Sequence, residues 1–219
     1  MSQQTHPDYA PARVLFPEYW SLDAMVRAEI EGLTDEQLDW ESGQWGWSEW
    51  SIRRQVSHMG SLVYRWMLER WGDQVFPYGS GITDEQYRKF SSADFDRRMD
   101  EREYWDIADI VAALTDAVKL ARRVLEMETV GSLRVRLIPH RVSPQWPLMV
   151  QAHPRGVDLG GDGRPATITL EATFRHMYFE YITHLYNIQR LKRAQGLPAI
   201  VRLPREGYWT VPGWDVSEP

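Results

Sequence analysis

The chain has 219 residues, a formal net charge of −6 at pH 7 and no cysteine. Hydrophobic residues make up 43% and charged residues 26%, which excludes the disordered and fibrous classes. The lack of cysteine excludes disulfides, zinc–thiolate sites and cysteine nucleophiles, so any metal must be held by His, Asp or Glu.

Charge and hydropathy also limit the partners of this chain. The acidic balance disfavours a surface that follows nucleic-acid phosphates. No stretch of about 20 apolar residues is present, as a membrane-spanning helix requires, and residues 1–14 lack the apolar run of a signal peptide. We therefore expect a cytoplasmic protein with a small-molecule substrate, no nucleic-acid partner and no membrane contact, in which residues 1–219 form one domain.

Two of four long helices are predicted in the first third of the chain. A helix over 17–31 begins with proline and is followed by glycine, which suit its two ends. A short helix over 34–40 follows, opened by the capping sequence Thr-Asp-Glu-Gln. Ser51 is a favourable N-cap for the second long helix, over 52–71, whose apolar residues share one face.

Longer connections surround the third helix, which is predicted over 104–128. The segment before it is polar, with a short helix at 84–89. After it, residues 133–138 alternate as a strand does, and residues 147–150 could pair with them. These patterns predict a small β-hairpin between the third and fourth helices.

The fourth helix is the longest, over 167–195, and Gly196 and Pro198 end it. A tail over 197–219, rich in proline and aromatic residues, is expected to lie along the body in extended form. Four helices with long connections predict an all-α four-helix bundle, an architecture that builds sites from inward-facing side chains.

A candidate metal site lies on two of these helices. His176, Glu180 and His184 are spaced four residues apart along one side of the fourth helix, with His184 pointing furthest inward and His176 most exposed. His58 lies at the edge of the apolar face of the second helix. A bundle can bring His58, Glu180 and His184 together, and such a set suits zinc, nickel, iron or manganese while leaving positions open for a substrate.

Ordinary structural roles are the alternative for these residues. A histidine at the edge of a helix is more often hydrogen-bonded than bound to metal. Trp45, Trp47 and Trp50 could form the wall of a pocket or pack the end of the bundle. Trp209 and Trp214 could cover the mouth of the crevice or form a dimer surface.

Three segments resemble the DinB/YfiT-like superfamily of helical metalloproteins. They are LTDEQLDW at 33–40, Trp50-Ser51-Ile52 followed by His58, and His184 with Gln189 and Gly196. The resemblance implies an up-down-down-up bundle and a divalent metal, zinc first and nickel second, bound by His58, Glu180 and His184. Many members have histidine at the position of Glu180, and the glutamate in this chain resembles the thiol-dependent maleylpyruvate isomerase branch. His176 lies outside the ligand set.

The resemblance also implies a function: transfer or isomerisation reactions that use a low-molecular-weight thiol such as mycothiol or bacillithiol. A metal can lower the pKa of such a thiol, and it could equally activate water for hydrolysis. The carboxylates of these thiols would need cationic partners, and Arg134, Arg136 and Arg141 are the candidates for binding this cofactor.

A non-catalytic helical module, acting as a homodimer or in a stress response, is the competing hypothesis. It would be favoured if His58 and His184 lay more than roughly 8 Å apart, too far to share one metal. A homodimer is also expected of the enzyme. A Ser-His-Asp hydrolase is rejected because the sequence has no G-x-S-x-G motif.

Overall fold

The computed structural model describes residues 6–219, which form a mostly helical protein with a small antiparallel sheet. The α-helices are α1 Leu22–Ile30, α2 Asp35–Asp39, α3 Ile52–Tyr64, α4 Gly72–Val75, α5 Asp84–Phe90, α6 Ile107–Met127, α7 Val130–Val135, α8 Trp146–Ala152 and α9 Leu170–Ala194. The strands are β1 Leu137–His140, β2 Val157–Asp158 and β3 Ala166–Thr169. A π-helix at Arg65–Arg70 extends α3, and 3₁₀-helices lie at Ala12–Leu15, Pro17–Trp20, Gly46–Ser48, Ala93–Phe95 and Tyr208–Thr210.

Side-chain caps fix the starts of several of the helices that the sequence predicted. At α2, the Thr34 hydroxyl accepts a hydrogen bond from the backbone N–H of Gln37 at 3.3 Å, and the side-chain oxygen of Gln37 accepts one from the backbone N–H of Thr34. At α3, the Ser51 hydroxyl accepts from the Arg54 amide. The third long helix begins later than predicted because Asp106 caps its first turn, so residues 104–106 lie outside it.

The predicted hairpin is wrong in two respects, and the all-α class is too narrow. Thr129 and Ser132 cap each other and start α7, so the first half of the predicted strand 133–138 is helical. The predicted strand 147–150 lies inside α8, where proline occupies the first turn. The sheet has three strands in the order β1-β3-β2, and β3 pairs antiparallel with both neighbours.

The core lies where α3 packs against both α6 and α9. Gly60 allows the close approach of α3 and α6, because a Cβ atom there would lie 3.3 Å from the Cα of Leu114 and closer still to the Met99 side chain. Buried aromatic hydroxyls join the elements: Tyr64 donates to the Ala113 carbonyl at 3.2 Å, and Tyr19 donates to the Phe174 carbonyl at 2.7 Å. This packing sets α3 directly beside α9, the two helices that carry the candidate ligands.

The tail after α9 returns over the body of the protein. The amides of Ile200 and Val201 donate to Glu29 on α1, and Tyr208 is buried against α9. Trp209 stacks on Tyr186 of α9, so this tryptophan packs within its own chain. Within residues 6–219, no helix combines the length and apolar character needed to cross a membrane.

Candidate metal centre

Three side chains from two helices converge between α3 and α9. His58 comes from α3, and Glu180 and His184 lie one turn apart on α9. Each offers one ligand atom, and these atoms all lie within 4.8 Å of one another. The Glu180 Oε2 atom is 3.3 Å from His184 Nε2 and 3.8 Å from His58 Nε2. The two imidazole ring centres are 4.6 Å apart, well inside the separation that would have favoured a non-catalytic module.

These separations fit the chemistry of a metal site. With bonds of about 2.0–2.2 Å, ligand atoms around a tetrahedral zinc lie about 3.3–3.6 Å from each other. Small side-chain shifts would therefore close the group around one ion. Two imidazoles and one carboxylate leave a coordination position for a further ligand, as catalytic zinc sites do.

The second nitrogen of each imidazole already has a partner. His58 Nδ1 lies 3.1 Å from the Arg97 carbonyl oxygen, and His184 Nδ1 contacts the side-chain oxygen of Gln55. Both partners accept hydrogen bonds, so Nδ1 carries the proton in each ring and Nε2 presents a lone pair to the group. Hydrogen bonds of this kind orient metal-binding histidines and fix their tautomer.

Gln55 is held in the orientation that this arrangement requires. Its side-chain nitrogen donates to the carbonyls of Trp50 at 3.3 Å and Trp47 at 3.5 Å, which leaves the side-chain oxygen facing His184. Gln55 is buried and lies one turn before His58 on α3. The tryptophan-rich loop therefore fixes Gln55, and Gln55 fixes His184.

An unusual backbone presents the acceptor for His58. Asp96 and Arg97 have φ values of 42° and 64°, in the left-handed region that residues with a side chain seldom adopt. This segment lies in the connection between α5 and α6 and delivers the Arg97 carbonyl to the imidazole. Strained backbone of this kind is often found at functional sites.

The protonation states suit metal binding. Burial, with a smaller contribution from neighbouring His184, lowers the pKa of His58 to about 3. Burial alone would raise the pKa of Glu180, but a proton on the facing Nε2 atom of His184 or His58 would hold it well below its usual range. A neutral imidazole and an ionised carboxylate are the forms that metals bind.

One side of the group is open to solvent. The Glu180 side chain is 26% exposed, whereas that of His58 is only 3% exposed. The Trp50 ring covers the histidines, with its centre 5.2 Å from His58 and 6.4 Å from His184. A small molecule can therefore approach from the Glu180 side. Trp50 lines the site, whereas Trp45 and Trp47 stack on each other.

The expectation that His176 is the most exposed of the three α9 residues is wrong. It is buried, and its Nδ1 atom lies 2.6 Å from the hydroxyl of Tyr208, which also contacts His153 Nε2 at 3.1 Å. The helical wheel ranked exposure from α9 alone, and the tail covers the side on which His176 lies. The same helical wheel placed His184 furthest inward, yet His176 and His184 are both buried.

The arginines predicted to bind a thiol lie elsewhere. Arg134 is part of a helix, not a strand, and pairs with Asp8 at 2.8 Å and Glu171 at 3.2 Å. Glu171 lies nine residues before Glu180 on α9, a distance of about 13 Å along the helix axis. Contact with the thiol stays a prediction for these arginines.

Arg136 and Arg141 have different surroundings. Arg136 pairs with Glu128 at 3.0 Å and donates to the Gln74 carbonyl at 2.6 Å. Arg141 is exposed directly after β1. Neither has a recorded contact with the metal group among residues 6–219.

Sequence reasoning missed Gln55 and Arg97, the two residues that orient the histidines. Gln55 lies three positions before His58, a helical neighbour, and this spacing could have identified it. Arg97 acts through its backbone carbonyl, for which residue identity gives no signal. No protein-family model, curated protein or solved structure matches the chain. The likeness to the DinB/YfiT-like superfamily therefore rests on the sequence motifs.

Proposed function

We propose that the protein is a metal-dependent enzyme of the DinB/YfiT-like type, with a divalent metal bound by His58, Glu180 and His184. Zinc is the first candidate and nickel the second. The observation that carries the proposal is the pair of Nδ1 hydrogen bonds, which leave both Nε2 atoms facing one carboxylate. A four-helix bundle formed by the long helices is part of the same proposal.

The substrate class that we propose is a low-molecular-weight thiol used in S-transfer or isomerisation. A divalent metal in this position would lower the pKa of the thiol and stabilise its thiolate. The chain itself has no cysteine that could take this role. Its own residues orient the ligands through Gln55 and the Arg97 carbonyl, and shield one side of the group with Trp50.

Metal analysis of the purified protein tests the first part of the proposal. We expect about one zinc or nickel ion per chain after equilibration with the metal and removal of excess. The variants H184A and E180Q should lose it, whereas E171Q, a carboxylate change on the same helix, should retain it. Metal binding should also raise the unfolding midpoint, because the ion binds the folded state. A folded wild-type protein that takes up no metal would overturn the proposal.

An assay of the loaded protein tests the second part. Thiol conjugation to a small electrophile should depend on metal and disappear in E180Q. If ester or amide hydrolysis shows this dependence instead, the metal site stands and the thiol chemistry does not.

Sedimentation of the intact chain tests the homodimer, which is a separate proposal. A dimer without metal-dependent turnover would favour the non-catalytic module.

A further inference from the structure

A second unusual group lies beside the metal ligands. Arg65 is only half-buried as a residue, but its Nη2 atom is buried and has no hydrogen-bond partner within residues 6–219. No carboxylate of the described chain lies within 4.0 Å of this guanidinium; its recorded hydrogen bond runs from Nε to the Ser61 hydroxyl at 3.3 Å. A positive charge removed from water without a partner is costly.

Two buried guanidinium groups in this protein have more partners than Arg65. Arg53 pairs with Asp35 and Asp39, both within 2.6 Å. Arg190 donates from both terminal nitrogens, to Asn187 and to tail carbonyls. Within residues 6–219 Arg65 differs from both, because it donates from Nε alone and neither terminal nitrogen has a hydrogen-bond partner.

Helical spacing places Arg65 on the side of the helix that carries His58. Arg65 follows His58 by seven residues, so the two share one side of the helix about 10 Å apart along its axis. The bond to Ser61 folds the side chain back by one turn, toward His58. Arg65 is also the first residue of the π-helix, a distortion frequent at functional sites.

Electrostatic coupling supports this placement. The positive charge of Arg65 helps to lower the pKa of His58 and of His176, although burial is the larger cause for both. Burial lowers the pKa of Arg65 itself to about 10, with a further contribution from Arg97 and an opposing one from Glu180. Arg65, Arg97 and Glu180 therefore lie within electrostatic reach of one another.

Arg97 supplies a second cation, next to the tryptophan that covers the histidines. Its guanidinium lies 5.9 Å from the centre of the Trp50 ring, and Trp50 in turn covers His58 and His184. The Arg97 side chain is 54% exposed, and its ion pair at 3.3 Å is with the neighbouring Asp96, which is 65% exposed. It can therefore exchange that partner for a ligand, since exposed ion pairs are weak.

We infer that Arg65, assisted by Arg97, forms an anion-binding subsite beside the metal ligands, and that it takes a carboxylate of the small molecule bound there. The inference rests on the proposed function and narrows it to a thiol that carries a carboxylate. A guanidinium offers two parallel donors that match the two oxygens of a carboxylate. The metal group would hold one end of the molecule, and Arg65 the other.

A pair of thiols that differ only in charge tests the subsite. Protein loaded with cobalt(II) is titrated with 3-mercaptopropionate and with neutral 3-mercaptopropanol, and the sulfur-to-cobalt absorption band is followed. We expect the acid to bind about tenfold more tightly to the wild type. R65Q should remove most of this preference and R65K should restore part of it. R70Q changes an exposed arginine of the same π-helix and should keep the preference.

Two outcomes of the titration overturn the inference while leaving the metal site intact. One is equal affinity of wild-type protein for both thiols. The other is a preference that survives in R65Q, because the carboxylate would then bind the cobalt itself.

An experiment on the metal-free protein tests the anion subsite independently of the proposed function. If cobalt does not bind, the proposed function fails, and malonate binding is measured by calorimetry on the apo protein. Wild type and R70Q should then bind malonate about tenfold more tightly than R65Q. Equal affinity of all three proteins would overturn the anion subsite as well.

Discussion

The two imidazoles of the candidate metal group are oriented by neighbours that lie outside the group. His184 depends on one side-chain oxygen, that of Gln55, and His58 depends on one backbone carbonyl, that of Arg97. Removing such an acceptor frees the ring to rotate or change tautomer, which typically weakens metal affinity 10–100-fold. A change at an orienting neighbour therefore tests how much the orientation of the histidines contributes to metal affinity, while the ligands themselves stay in place.

Replacing Gln55 tests this orientation. In Q55L the acceptor for His184 is lost, and we expect zinc affinity to fall by about one to two orders of magnitude, measured by competition with a chromogenic chelator. Q55E keeps the acceptor but loses the donor to the Trp47 and Trp50 carbonyls, so it should retain zinc while loosening the loop. Equal zinc affinity in Q55L and wild type would show that Gln55 does not orient the ligand.

Tyr208 offers a second test, directed at the buried hydrogen bonds of the tail. Its hydroxyl joins His176 and His153, so Y208F leaves two buried imidazole nitrogens without that partner. We expect a loss of about 1–3 kcal/mol in the free energy of unfolding, measured by urea titration. Y78F, at a fully exposed tyrosine, is the matched control and should be neutral. A neutral Y208F would mean that water replaces the hydroxyl without cost.

At the scale of elements, a buried ion pair fixes α1, α9 and the tail to each other. Glu29 is fully buried on α1 and accepts from Lys192 of α9 at 2.8 Å, from Gln189 at 3.1 Å and from the amides of Ile200 and Val201. Burial alone would raise its pKa, but these donors together lower it. The carboxylate is thus ionised in the folded protein.

Removing this charge should destabilise the packing of the three elements. E29Q places an amide among donors that need an acceptor and leaves Lys192 buried without its counter-charge, at a cost of about 3 kcal/mol or more near pH 7. E31Q, two residues later and exposed, is the control.

The pH dependence of E29Q gives a second readout. Because the folded pKa lies below the unfolded value near 4.5, the stabilisation by Glu29 is present above pH 4.5 and is lost as the pH falls through the folded pKa. The difference between wild type and E29Q should therefore shrink below pH 4.5 in urea titrations. A constant difference down to pH 3 would contradict this account.

Local signals predicted some elements well and others poorly. Ser51 and Thr34 cap the helices that they were expected to cap, and the spacing of Glu180 and His184 on one helix brought them together. Residues 133–138 alternate like a strand, but a cap at Thr129 starts a helix there. The surroundings of His176 depend on the tail, and no local pattern shows where a tail without regular structure will pack.

At the scale of the whole molecule, histidines buried in the neutral form make the fold sensitive to acid. His153 follows α8, His176 lies on α9 and Tyr208 belongs to the tail, so three distant segments meet at one group. Burial lowers the pKa of His153 to about 3 and that of His176 to about 4, with other nearby charges as lesser causes. The folded protein therefore resists protonation that the unfolded chain accepts.

This difference predicts a loss of stability between pH 6.5 and about 4. Below pH 6.5 the unfolded chain binds protons that the folded state excludes, so each histidine lowers the unfolding free energy by about 2 kcal/mol at pH 5. Urea titrations of chelator-treated protein at pH 7, 6 and 5 measure how steeply the unfolding free energy changes with pH, without a contribution from metal.

The variant that carries H153Q and H176Q together tests this prediction. Glutamine can still hydrogen-bond to Tyr208 but cannot titrate, so the slope of unfolding free energy against pH should lose the contribution of these two histidines. An unchanged slope in the double variant would mean that these histidines accept protons in the folded protein, through opening of the tail that covers them.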